Sequence, residues 1–246
     1  MEAVKKIPLL PFLVYIGYVL LWGAGQYVSG LLEEFSPFLS LTVFYLLSII
    51  PFGIIVPLKV AKKLEFKLHN PASPDQLRLG ALAFLIVILI GSFSTDAYSK
   101  IIQDPTSLWM VVKSLLLVLP FSLGVSLNIL FLIPRALQTH LGTGFLGVIV
   151  PAFACGLAMG IAWMFDTQLA DFNVIMTMLI FGTLFGFGAA LSRSLYFSFA
   201  AFSIVMVINI LVDVNTFNEP LPALILGFGL TSLILILSVA KEKGAF

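Results

Sequence analysis

The sequence predicts an all-α protein, a polytopic membrane bundle of about eight transmembrane helices in a single domain that covers residues 1–246. Three observations carry this prediction. The chain is 60% hydrophobic and only 10% charged, with a mean hydropathy of +1.12. Its apolar residues form runs of about 20, the length that crosses a hydrocarbon core of ~30 Å as a helix. Its basic residues concentrate between alternate runs, as in multi-pass membrane proteins.

We expect eight spans, each bounded by charged or helix-breaking residues. In chain order they are Ile7–Leu32, Phe38–Leu58, Leu79–Thr95, Leu108–Ile133, Gly144–Phe165, Asn173–Leu191, Leu195–Val212 and Leu221–Ala240. The first run follows Lys5 and Lys6, and its length predicts an uncleaved signal anchor. The longest polar connection is Lys59–Arg78, a predicted surface loop in which Ser73 or Asp75 would cap the third span.

The charges orient the bundle. If the N-terminus is cytoplasmic, eleven of the thirteen basic residues face the cytoplasm: Lys5, Lys6, Lys59, Lys62, Lys63, Lys67, Arg78, Arg135, Arg193, Lys241 and Lys243. Only Lys100 and Lys113 fall outside, where the loops are acidic instead: Glu33, Glu34, Asp96, Asp104, Asp166, Asp171, Asp213 and Glu219. This sorting predicts cytoplasmic N- and C-termini. We expect the chain in a prokaryotic plasma membrane or an equivalent internal membrane.

Small and polar residues inside the spans predict contacts between helices. Gly156 and Gly160 share one face of the fifth span, and Gly182 and Gly186 share one face of the sixth. Glycines four residues apart let two helices approach closely in lipid, so these four are expected at helix-packing faces. A separate polar pair, Asn128 and Asn209, is expected either to hydrogen-bond between helices or to line a cavity for a lipid or ligand.

Three segments in the second half of the chain carry a family pattern. They are Ile129–Gln138 (ILFLIPRALQ), Cys155–Met159 (CGLAM), and Gly186 followed after five residues by Ser192–Tyr196 (SRSLY). These segments resemble the motifs of the CPBP intramembrane proteases, the CAAX prenyl protease and bacteriocin-processing family. In that family the motifs are E-E-x-x-x-R before a Leu-Gln-like pair, F-G-L-A-H, and G-x5-T-G-S-L-W. The resemblance covers residues 127–209 and implies a CPBP-like core at about 108–213.

The catalytic positions of the family are apolar here. The resemblance places Met159 where the family has the histidine of its second motif. After the third motif, Phe202 stands at the position of a second histidine, and Met206 at that of an asparagine four residues later. Such side chains neither accept a proton nor hold a hard metal ion at neutral pH.

The two glutamates of the first motif also have no counterpart. If the Leu-Gln pair sets the alignment, they correspond to Ile129 and Leu130; if Arg135 does, they correspond to Leu130 and Phe131. Cleavage of a peptide bond by water needs a general base, usually with a second group that stabilises the oxyanion. The resemblance therefore implies the scaffold of the family without its chemistry.

No other catalytic pattern is present in the sequence. The two histidines, His69 and His140, lie in predicted loops, and the chain has no H-E-x-x-H, G-x-S-x-G or Walker A motif. The single cysteine, Cys155, excludes an intrachain disulfide and a cysteine metal cluster. We expect no cofactor, no metal ion and no nucleic-acid partner.

The sequence thus predicts a non-catalytic, CPBP-like membrane protein: a scaffold, assembly factor or accessory subunit that binds another integral membrane protein or a lipophilic ligand within the bilayer. The absence of catalytic groups favours a pseudoenzyme, and an active enzyme is kept as the alternative. The alternative is an active intramembrane protease or a small-solute transporter whose site uses loop residues, with His140, Arg135, Asp166 and Asp171 as candidates.

The topology predicts that residues 62 and 171 lie on opposite sides of the membrane. Single cysteines at Lys62→Cys and Asp171→Cys, in a background with Cys155→Ser, would be labelled in intact cells with a membrane-impermeant maleimide. We expect Asp171→Cys to react at once and Lys62→Cys to react only after permeabilisation, because basic loops stay in the cytoplasm. Labelling of both from the same side would contradict the predicted orientation.

Overall fold

The structure is a computed structural model that describes residues 8–93, 107–165 and 172–212, and this part of the chain is all-helical without a β-strand. Its seven helices are α1 (Leu10–Glu33), α2 (residues 37–63), α3 (Pro74–Phe93), α4 (residues 107–141), α5 (Leu146–Met164), α6 (Phe172–Ser192) and α7 (Leu195–Val212). Ser73 caps α3, because its Oγ accepts a hydrogen bond of 3.1 Å from the backbone nitrogen of Gln76.

Five of the described helices are long and apolar enough to cross a membrane: Leu10–Glu33, Phe38–Lys63, Leu115–Leu141, Leu146–Met164 and Val174–Ser192. They coincide with the first, second, fourth, fifth and sixth predicted spans. The third predicted span falls on α3, and the seventh falls on α7. The eighth, Leu221–Ala240, lies outside the described residues, so the count of eight remains a prediction.

Two helices contain wide, π-helical turns. In α2 the segment Tyr45–Ile55 separates Pro37–Phe44 from Val56–Lys63; in α4 the segment Ser126–Leu132 separates Ser107–Val125 from Ile133–Leu141. In both helices the second residue after the wide segment is a proline, Pro57 or Pro134. A proline ring clashes with the carbonyl four residues earlier, and a wider turn relieves that clash.

The most extensive contact between helices joins α5 to α6. A methyl group on Gly182 would lie 2.7 Å from the Cβ atom of Met159, and one on Gly186 would lie 2.8 Å from the Cα atom of Ala152. These distances leave no room for any side chain, so the two helices touch backbone to backbone. Along α5 Ala152 comes before Met159, whereas their partners along α6 come in the opposite order, Gly186 after Gly182. The two helices are therefore antiparallel.

At one end of the bundle, the loop of residues 64–73 runs along the turn between α6 and α7. The backbone nitrogen of Leu195 donates to the carbonyl oxygen of Leu68 over 2.8 Å, and that of Asn70 donates to the carbonyl oxygen of Arg193 over 3.2 Å. His69 Nδ1 also lies 2.9 Å from Ser194 Oγ. These bonds fix the loop to the turn. All seven helices share one hydrophobic core.

Replacing Gly182 or Gly186 with leucine should lower the free energy of unfolding by about 1–3 kcal/mol, because the added side chain overpacks the contact between α5 and α6. Thermal unfolding in detergent would measure the effect. Gly30→Leu is the matched control, since nothing lies within 4 Å of a Cβ atom at Gly30. Equal melting temperatures for all three variants would show that the α5–α6 contact is not tightly packed.

Candidate functional site

The positions at which the family resemblance implies catalytic groups lie in the apolar interior of the bundle. Ile129 and Leu130 in the π-helical segment of α4, Met159 in α5 and Phe202 in α7 are each at most 2% exposed. That segment contacts both α5 and α7, and all four side chains belong to the same hydrophobic core. Met206 of α7 is partly buried against this core. The fold thus brings these positions, which lie between residues 129 and 206 of the sequence, together around one apolar centre.

Aromatic rings fill this centre. The ring of Phe202 lies edge-on to Phe185 of α6, with centroids 5.4 Å apart, and is stacked with Phe121 of α4 at 6.4 Å. Phe121 lies 4.7 Å from Trp22 of α1, whose ring is 5.8 Å from Trp163 of α5. Rings at these separations and angles attract one another through dispersion and their quadrupoles. Phe202, at a position where the resemblance implies a histidine, is therefore part of an aromatic array that joins five helices.

Asn128, next to this centre, is fully buried, and its amide binds backbone carbonyls of two helices. Asn128 Nδ2 lies 3.2 Å from the carbonyl oxygens of both Phe52 and Gly53 in α2, and 3.0 Å from that of Gly124 in α4. Phe52 and Gly53 precede Pro57 by five and four residues. Proline has no N–H group, so neither carbonyl can receive a hydrogen bond from residue 57. Asn128 supplies that missing donor.

Two further side chains act in the same way at other prolines. Gln138 Nε2 donates to the carbonyl oxygen of Gly147 over 3.0 Å, four residues before Pro151. Cys155 Sγ donates to the carbonyl oxygen of Ile129 over 3.2 Å, five residues before Pro134. An unsatisfied carbonyl costs several kcal/mol in hydrocarbon. These buried polar side chains therefore hold together helices whose own backbone bonds are interrupted.

Several polar atoms near the wide turns have no hydrogen-bond partner within the described residues: Tyr18 Oη, Ser122 Oγ, Ser126 Oγ and Asn128 Oδ1. They belong to hydroxyl and amide groups, which can bind a ligand by hydrogen bonds but are not general bases at neutral pH. Residues 8–93, 107–165 and 172–212 contain no group of three His, Cys, Asp or Glu side chains placed to hold a metal ion.

The remaining predicted residues divide into two groups. The described His140 lies in the last turn of α4 and is exposed. Asp166, Asp171 and the side chain of Asn209 lie outside the part of the chain that is described. The geometry around Asn128 is an interhelical hydrogen bond through Nδ2, which is one of the two roles expected for it.

Arg135 forms a second polar site, at the end of the bundle where loop 64–73 meets the turn between α6 and α7. Its side chain is only 5% exposed. Arg135 Nη2 lies 3.1 Å from the carbonyl oxygen of Lys67 and 2.7 Å from that of Arg193. The guanidinium carbon also stands 5.6 Å from the ring centroid of Phe131. One arginine thereby binds α4, the loop and the turn together.

Arg193 brings a second guanidinium to the same place. Burial lowers the pKa of Arg193 from its usual value, because a charged group loses hydration there. Its positive charge repels that of Arg135. Lys67, His69 and Ser194 lie beside the two arginines along the loop and the turn, and we call these five residues the Arg135–Arg193 cluster.

The sequence did not predict this cluster. The charge pattern places Arg135 and Arg193 on the cytoplasmic side, with Arg135 as a loop candidate of the alternative, whereas the structure buries Arg135 in α4 and bonds it to the backbone of two other segments. The signal in the sequence was the apolar setting of Arg135, which follows Pro134 and precedes Ala136 at the end of a long apolar helix.

Comparisons with protein-family models, with curated proteins and with solved structures found no match for this chain. The resemblance to the CPBP family therefore remains a prediction from the three motif-like segments. What the structure adds is an all-helical bundle with several helices able to cross a membrane.

The role of Asn128 can be tested by a double-mutant cycle with Pro57. Asn128→Leu should lower the free energy of unfolding by about 1–3 kcal/mol, because it leaves buried carbonyls without a donor. In a Pro57→Ala background residue 57 regains its N–H group, so the same change should cost less. Thermal unfolding in detergent measures all four proteins.

Ser203→Ala is the control for this cycle, because Ser203 Oγ is buried without a partner among the described residues and its loss should be close to neutral. Purely additive effects of Asn128→Leu and Pro57→Ala would contradict the role assigned to Asn128.

Proposed function

We propose that this chain is a non-catalytic, CPBP-like membrane protein that acts as a scaffold, assembly factor or accessory subunit. Its ligand is another integral membrane protein or a lipophilic molecule in the bilayer. The observation that best supports this proposal is the packing of Phe202 between Phe121 and Phe185, at a position where the family has a histidine.

The packing around the other family positions supports the same proposal. A histidine or glutamate at mid-membrane costs a few kcal/mol unless polar neighbours or water receive it. Ile129, Leu130 and Met159 are instead surrounded by the common hydrophobic core. Asn128, beside Ile129 in α4, and Cys155, in α5, donate their hydrogen bonds to backbone carbonyls. The interior is thus suited to stable packing rather than to proton transfer.

The outer surface of the bundle offers apolar contacts for such a ligand. On α5, a row of large exposed side chains at spacings of three and four residues follows one face of the helix: Leu146, Val150, Phe153, Leu157, Ile161 and Met164. Lipid chains and an apolar helix of another membrane protein both fit a face of this kind, and small-residue or polar contacts would add specificity for a protein.

The alternative, an active protease or a small-solute transporter, would depend on loop residues. Of its four candidates, Arg135 already donates to two carbonyl oxygens, which fixes the position of its side chain. His140 is exposed, in the last turn of α4. The experiment below distinguishes this alternative from the binding role.

The test is gentle purification of the tagged protein from native membranes, with a protease assay on prenylated and hydrophobic peptides. We expect stable co-purification with at least one membrane partner and no cleavage. Phe202→Ala and Met159→Ala should weaken the complex or the fold, because each opens a cavity in the core. Ser203→Ala, next to Phe202, is the matched control and should leave both unchanged.

The opposite result would favour the alternative. Cleavage by the pure protein that survives chelators, and that is lost in His140→Ala or Asp171→Asn, would identify an enzyme that uses loop residues. Such an outcome would overturn the binding role.

A further inference from the structure

We propose that Arg135 and Arg193 bind a phosphate group at the end of the bundle where loop 64–73 meets the turn between α6 and α7. The phosphate is supplied by a phospholipid headgroup or by free phosphate. This site is separate from the apolar centre around Phe202, and it does not depend on the proposed scaffold function.

The first argument is the balance of charge. Arg135 is 5% exposed, and Arg193 is half-buried beside it. The described residues contain four acidic side chains, Glu33, Glu34, Glu65 and Asp75, and the ion pair among them joins Asp75 to Arg78, both above 80% exposed. The guanidinium groups of Arg135 and Arg193 therefore have no carboxylate partner in this part of the chain.

Burying a charge without an opposite charge raises the free energy of the folded state, and a neighbouring like charge raises it further. The carbonyl oxygens of Lys67 and Arg193 compensate Arg135 only in part, because each carries a fraction of a negative charge. An anion at the cluster would compensate both arginines at once. The favourable energy of such an anion increases with the burial of the charges that it meets.

The second argument is the set of hydrogen-bond donors. Both carbonyl contacts of Arg135 use Nη2, and Nε of Arg135 and Nε of Arg193 are buried without a partner within the described residues. Arginine donors form a planar fork that matches two oxygens of one phosphate. The cluster therefore retains unused donor groups of the type that phosphate accepts.

The backbone of Arg193 gives a third argument. Its φ angle is +48°, in the left-handed region that disfavours residues with a Cβ atom other than asparagine and aspartate. Glycine or asparagine would occupy this turn with less strain. Strained backbone of this kind clusters at binding and catalytic sites. The purpose that the surroundings of Arg193 suggest is to place a second positive charge beside Arg135.

The setting at the membrane favours the headgroup as the source of the phosphate. Lys62 and Lys63 end α2 directly before the loop that carries Lys67, and all three side chains are exposed. Basic segments next to a span attract anionic lipid headgroups. These lysines would concentrate such lipids near the cluster, where the arginines bind one phosphate specifically.

The test compares three additives by their effect on thermal unfolding of the protein in a neutral detergent at constant ionic strength. The additives are short-chain phosphatidylglycerol, diacylglycerol with the same chains, and inorganic phosphate. We expect phosphatidylglycerol to raise the melting temperature and diacylglycerol to leave it unchanged. Arg193→Asn, which suits a positive φ angle, should weaken the apparent affinity about tenfold through the loss of charge-assisted hydrogen bonds.

The matched control is Lys62→Gln, which removes one exposed positive charge and should change the affinity by no more than about twofold. Arg193→Lys keeps the charge without the fork and should give an intermediate affinity. This variant carries the test if Arg193→Asn proves unable to fold without ligand.

The outcomes separate the two sources of the phosphate. A shift with inorganic phosphate as large as that with the lipid supports the site with free phosphate as its ligand. A shift only with phosphatidylglycerol supports it with a headgroup. Equal shifts with diacylglycerol, or equal losses of affinity in Arg193→Asn and Lys62→Gln, would overturn the proposal.

Discussion

The rest of the structure depends on one constraint: a backbone carbonyl in a membrane must receive a hydrogen bond from the protein itself. Prolines in α2, α4 and α5 withdraw backbone donors, and side chains from neighbouring helices replace them. The pairs are Pro57 with Asn128, Pro134 with Cys155, and Pro151 with Gln138. Each replacing hydrogen bond joins two helices. The prolines weaken single helices, and the bonds that compensate for them stabilise the bundle. The wide turns of α2 and α4 lie directly before two of these prolines.

This use of polar groups shapes the candidate functional site. The amide of Asn128 and the thiol of Cys155 are hydrogen-bonded to backbone, while Met159 and Phe202, where the resemblance implies histidines, contribute apolar packing. The glycines of α6 let that helix pack directly against the backbone of α5. The proposed binding function rests on this apolar packing and on the apolar outer surface, because neither needs an ionisable group.

The same constraint operates at the end of the bundle, but there it involves a full charge. Arg135 donates to carbonyl oxygens of the loop and of the turn, and so fixes two non-helical segments to α4. A guanidinium group can donate hydrogen bonds to backbone carbonyls and also attract an anion through its positive charge. The proposed phosphate site would therefore couple ligand binding to the fold at the Arg135–Arg193 cluster, whereas the apolar centre needs no charge.

The sequence by itself determined the helical class, the placement of five spans and the capped loop before α3. Hydropathy and helix caps are properties of contiguous residues, so they can be read without the tertiary structure. The wide turns were not predicted, although their prolines were visible, because a proline can also end or kink a helix. Only the tertiary structure decided which carbonyl Asn128 meets and that Arg135 is buried. The Asn128 bonds to α2 join residues 75 and 76 positions apart, and a partner at such a distance is set by the packing of whole helices.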